Sequence, residues 1–239
     1  MKPLIVVLAT VVLYVVTARL GLKLALPPEK KATAVWLPSG IALAVILIGG
    51  YRFWLAIWLG AFLANFWDYF DPANNISLSA HLVLSYGIAL GSTLQPLLGA
   101  FLMRRWIGQE SLLDGARSVF QFIGITLLVC LVASTVGVTT LMLTGFAPWS
   151  KYAFAWWTWW VGDTIGVLIV TPLVLSWSKP PGFNWDLRRL GEAVFVLALL
   201  LSVTLAVFAG RTPWGLVAST LAYLTVPLLV WATFRFGQC

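Results

Sequence analysis

Apolar runs, each about long enough to cross a bilayer, follow one another through this chain almost without pause. They occupy residues 4–26, 34–50, 53–70, 79–103, 119–143, 156–177, 193–209 and 213–234. A spanning helix takes about 20 such residues, because the hydrocarbon layer is about 30 Å thick. Lipid offers no hydrogen bonds to an open backbone, so each run has to be helical. The alternating pattern of a membrane β-barrel is absent. Charged residues make up 10% of the chain and hydrophobic ones 61%, where soluble domains carry about 25% charged residues. A water-soluble globular fold, disorder, a disulfide scaffold and a coiled coil are therefore excluded. The expectation is an all-α integral membrane protein: a polytopic bundle of about eight transmembrane helices, the second one short and Pro-broken, forming one domain over 1–239.

The net charge of +7 reflects topology and not nucleic-acid binding. Arg104, Arg105 and Arg117 lie between the fourth and fifth runs; Lys179, Arg188 and Arg189 lie between the sixth and seventh. Asp68 and Asp71 flank the turn between the third and fourth runs, which has no Lys or Arg. The positive-inside bias then places both basic loops and the C-terminus in the cytoplasm and the acidic turn outside. Eight spans put the N-terminus inside and leave Lys30 and Lys31 outside; a re-entrant second run reverses this. Val16-Thr17-Ala18 resembles a leader cleavage site, but the apolar run continues to Leu26.

Residues able to carry chemistry are few. His81 is the single histidine and the cysteines are Cys130 and Cys239, so no metal ligand set or catalytic triad can be assembled. No phosphate- or dinucleotide-binding glycine motif occurs. No cofactor, metal or enzyme activity is expected, and His81, at the start of a run, reads as interfacial. Asp163 stands out as an ionisable group inside the sixth run, about one turn from its start; such groups usually face the bundle interior or a water-filled cavity. Sequence does not name its partner; Arg19 and Lys23 are the candidates in the eight-span arrangement, and a structural cap or pair near the outer surface is the alternative reading. Helical spacing puts Trp156 and Trp160 on its face, while Gly162 and Gly166 permit close helix contact. Gly87, Gly91, Gln95 and Gly99 form a stripe in the fourth run that reads mainly as packing, with Gln95 beside the Pro96 kink able to open a polar site. Asn65 reads as an interhelical hydrogen bond or a ligand contact. Pro38 and Gly40 break the second run, as in binding helices of transporters or a simple kink. The tryptophans around the sixth run also fit an interfacial belt.

Several blocks together resemble a known family. Trp36-Leu37-Pro38-Ser39-Gly40-Ile41-Ala42 is similar to the opening of the bacterial membrane-associated sensor domain of type one, the MASE family. Gly49 to Trp54, Gly60 to Asn65 and Leu102 to Arg105 resemble its next blocks. Trp157 to Pro172, with its Trp-Gly-Asp core, resembles its most characteristic stretch, and Pro227 to Gly237 resembles its end. The resemblance spans about residues 3–239. It implies an integral inner-membrane input module without catalysis of its own, passing a signal to a cytoplasmic histidine kinase or cyclic-di-GMP enzyme. That output is expected in the same chain beyond Cys239 or in a partner protein, with a homodimer in the parent and another membrane protein as a further partner. Trp36, Pro38, Gly40, Asn65, Gln95, Trp156, Trp160, Gly162, Asp163 and Gly166 are the candidate ligand or signalling residues. The alternatives are a small multi-pass transporter, or a partner subunit with no ligand of its own.

Overall fold

The computed structural model describes residues 2–23, 35–70, 77–108 and 115–178, with a few helical residues between 191 and 202. The seventh and eighth runs, and the 227–237 block, lie largely or wholly outside the described residues. Among the described residues there are six α-helices and no strand: α1 Lys2–Lys23, α2 Leu37–Gly49, α3 Trp54–Tyr69, α4 Leu78–Trp106, α5 Ala116–Leu143 and α6 Tyr152–Ser178. Four helical segments are long and apolar enough to span a membrane: Leu4–Leu22, Leu78–Trp106, Ala116–Leu143 and Trp149–Ser178. Their outward faces carry leucine, phenylalanine and tryptophan, with Leu143, Phe120 and Trp177 each more than 70% exposed. A surface of that kind is stable only against lipid.

The second run departs from its neighbours. Its helix α2 has 13 residues, about 20 Å at 1.5 Å per residue, so it falls well short of the hydrocarbon thickness. Pro38 opens it, where a missing N–H costs nothing, and residues 38–44 are all buried. It runs one way and does not fold back as a re-entrant hairpin. Its closest neighbours are α1, α4 and α6. Gly50 stops it with φ 87°, a left-handed conformation that costs glycine little, and a 3-10 turn at Tyr51–Phe53 leads into α3. Arg104, from the last turn of α4, donates to the carbonyls of Ile46 at 2.8 Å and Leu47 at 3.2 Å. A cation thus sits on the last-turn carbonyls and negative dipole end of α2, where Ile46 also accepts the Gly50 N–H, while its guanidinium lies 4.7 Å from the Tyr51 ring centre.

The glycine stripe of α4 is packing surface. Gly87 faces Thr140, Gly91 faces Ala133 and Val136, and Gly99 faces Leu43 of α2 and Val129. Gln95 is buried and donates to Cys130 Sγ at 3.2 Å, so it ties α4 to α5. His81, in the first turn of α4, is packed inside the bundle: it is 2% exposed, its ring makes edge contacts with Phe70 and Phe146, and its Nδ1 is 2.9 Å from the Ser77 carbonyl. Ser77 caps the helix, accepting from the Ala80 N–H.

Candidate functional site

The Trp36–Gly40 and Gly162–Gly166 blocks, far apart in sequence, meet at backbone distance. The Trp36 N–H donates to the Gly162 carbonyl at 2.9 Å. The Ser39 hydroxyl reaches the carbonyls of Trp36 at 2.7 Å and Asp163 at 3.1 Å. Thr171 donates to the Gly40 carbonyl at 2.9 Å. Any side chain on Gly40 would run into the Gly166 carbonyl, and any on Gly166 into the Trp36 carbonyl. Glycine at both positions is therefore what lets α2 and α6 touch. The contact satisfies polar groups at the start of α2 that would otherwise be orphaned inside the membrane.

Above this contact the bundle opens into a cavity of about 60 Å³. Thr158, Trp159, Gly162 and Asp163 of α6 form one wall; Asn65, Asp68 and Tyr69 from the end of α3 form another. Ile88 and Ser92 of α4, Ala133 of α5, Leu22 of α1 and Trp36 complete it. A short central helix explains the space, because α2 begins level with Gly162 and leaves the remaining depth unfilled. Asp163 is 7% exposed and is the twelfth residue of α6. That is about 16 Å from the helix start, deeper than the one turn read from sequence. The Ser39 side chain stands beside its carboxyl, and Tyr14 and Cys130 are near enough to interact with it electrostatically. Arg19 is turned elsewhere, its guanidinium 4.1 Å from the Trp67 ring centre; the side chain of Lys23 lies outside the described residues.

Of the residues singled out in the sequence, the structure gathers Trp36, Asn65, Gly162 and Asp163 at the cavity, with Pro38, Gly40 and Gly166 directly beneath. Asn65 turns its Nδ2 to the Ala61 carbonyl at 2.7 Å, within its own helix, and not to a neighbouring one. Three residues fall elsewhere. Gln95 is committed to Cys130. Trp156 donates to Thr135 Oγ1 and Trp160 to the Leu127 carbonyl, each at 3.0 Å, so both lie against α5. Trp159 is the tryptophan at the cavity, one turn above Asp163 and held against Gly137. Spacing alone favoured Trp156, seven residues from Asp163, but two turns separate them along the helix axis. Thr158, Trp159, Tyr69 and Ser92 were missed because nothing in the sequence states which neighbour each faces.

Four helices of membrane-spanning length packed about a short, largely buried one define a multi-pass membrane protein. The MASE1 family model matches residues 6–238. The chain belongs to this family of membrane-associated sensor domains. No curated protein and no solved structure matches it.

Proposed function

We propose that residues 1–239 form one sensory input domain of a bacterial signalling protein. It sits in the inner membrane with its C-terminus in the cytoplasm. Its output is a histidine kinase or a cyclic-di-GMP enzyme, carried in the same chain or by a partner, and the working unit is a homodimer. The observation that carries this reading is the contact between α2 and α6 directly below the cavity. Trp36 and Asp163 belong to both, so an occupant of the cavity presses on the contact itself. The other end of α2 is held by Arg104, at the end of the bundle where Arg52, Arg105 and Arg117 also lie. The positive-inside bias makes that end cytoplasmic. A ligand drives the change only as far as it prefers one α2–α6 arrangement over the other. One feature favours a transporter as the second reading: a helix start at mid-depth beside a carboxylate is a device of transporter binding sites.

The test is to recover the native gene product from cell membranes with an antibody against the 104–117 loop. The expected result is a product well above 26.2 kDa carrying an output domain, or one of that mass with a stoichiometric kinase or cyclase. Asp163→Asn should then alter the output at unchanged expression. A lone 26.2 kDa product that concentrates a solute in liposomes would replace the sensor with the transporter.

A further inference from the structure

We propose that the cavity is a binding site for a small ammonium group, with Asp163 as its counter-ion and the Trp36 and Trp159 rings as its walls. The proposal rests on the sensor reading for its purpose, but its chemistry stands on the site alone. A carboxylate buried this far from water is expensive unless it meets a cation or a strong set of donors. Among the described residues no Lys or Arg lines the cavity, and Arg19 is stacked on Trp67. The start of α2 supplies about half a positive charge at most. Much of that is already engaged, since the Trp36 N–H is bonded to Gly162 and the Ser39 N–H to the Trp36 carbonyl, and Pro38 has no N–H. Among the described residues, no cationic side chain lines the cavity against the Asp163 carboxylate.

Size and lining narrow the class. The cavity, of about 60 Å³, has room for several waters and so for a small ammonium such as methylammonium or ethanolammonium. A hard metal ion wants six or more oxygen ligands, whereas the lining of this cavity includes Trp36 and Trp159, and indole rings attract ammonium groups. The Asn65 carbonyl and the Thr158 and Ser92 hydroxyls supply acceptors for its N–H groups. The same ammonium could come from a free amine or from a phosphatidylethanolamine headgroup.

The experiment uses the full chain in nanodiscs of phosphatidylglycerol alone, with thermal unfolding followed by tryptophan fluorescence. Methylammonium and ethanolammonium chloride are compared with sodium chloride and sodium acetate at equal ionic strength. The expected result is a higher Tm with the ammonium salts only, and an apparent affinity at least tenfold weaker in Asp163→Asn. A higher Tm in phosphatidylethanolamine nanodiscs without added amine, lost in Asp163→Asn, supports the same chemistry and places the ammonium on a lipid. No shift from either source overturns the proposal; so does a sodium-specific shift, or a response in Asp163→Asn equal to that of the unaltered chain. Should Asp163→Asn fail to fold, Asn65→Leu, which fills the cavity from α3, has to abolish the response, and an unchanged response overturns the proposal. An ammonium response without any change in signalling output removes the sensor reading and leaves the site. A changed output in Asp163→Asn without an ammonium response removes the site and leaves the sensor.

Discussion

The two halves of this bundle are built to opposite rules. In the basic half, α2 fills the centre, and its neighbours close on it until backbone meets backbone at Gly40 and Gly166. In the acidic half, the same central position is empty, and polar side chains converge on the space. One cause produces both: a helix of 13 residues in a layer that needs about 20. What the short helix lacks in length becomes the cavity. The tight half cannot yield without breaking. The open half has room for an occupant, and in the proposed reading the start of α2 is the boundary where that occupant would be felt.

The sharpest way to break this comparison is to add one methyl group at the tight α2–α6 contact and one to a helix face that meets nothing. Gly166→Ala drives a Cβ into the Trp36 carbonyl, which cannot move aside as a side-chain tip would. A loss of about 3 kcal/mol is expected from overpacking, seen as a large drop in Tm in detergent. Gly124→Ala, in α5, meets nothing and should gain up to about 1 kcal/mol from helix propensity. Equal behaviour of the two would mean that α2 and α6 are not closely locked. The next effect is at the far end of α2. Arg104→Leu removes donors from the Ile46 and Leu47 carbonyls and should cost about 2 kcal/mol, the range for hydrogen bonds to a charged group. Arg104→Lys should recover part of this through charge while losing the fork and the stacking on Tyr51. If both variants unfold like the unaltered chain, the basic end does not hold α2.

The sequence made much of this arrangement readable, and for identifiable reasons. Pro38 and Gly40 marked the second run as short and broken, but it reads in sequence as a span or a re-entrant segment, and only its neighbours show it as a buried 13-residue helix. Asp163 in an apolar run announced a polar interior, because no other placement of that carboxylate is affordable in lipid. The glycine pair at 162 and 166 announced close contact, though not its partner. What stayed hidden depends on neighbours. Trp156, Trp159 and Trp160 are equivalent by composition, and only the position of α5 sends two of them to Thr135 and Leu127 and leaves the third at the cavity. The depth of Asp163 was underestimated because Lys151 and the aromatic residues after it look like an interface, while the helix in fact begins at Tyr152. That His81, at the start of its run, packs against Phe70 and Phe146 was hidden too, because both rings come from other parts of the chain.

The remaining tests probe the boundary between the halves, where smaller effects are expected. Ser39→Ala removes the hydroxyl that bridges the Trp36 and Asp163 carbonyls. The cost should be about 1 kcal/mol, typical of one net hydrogen bond, and a Tm measurement against Thr171→Val would show whether the two ties act independently. The last pair separates the tryptophans. Trp160→Phe loses its bond to the Leu127 carbonyl and should cost up to about 1 kcal/mol, with the response to ammonium salts unchanged. Trp159→Phe forfeits no hydrogen bond between the described residues, so its stability should change less. It does narrow the aromatic wall beside Asp163, and a phenyl ring attracts a cation less strongly than an indole. The ammonium response should therefore weaken in Trp159→Phe and not in Trp160→Phe. The reverse order would mean that the functional face of α6 is the one turned to α5, as helical spacing alone implies, and the cavity would then be a by-product of the short helix and not its purpose.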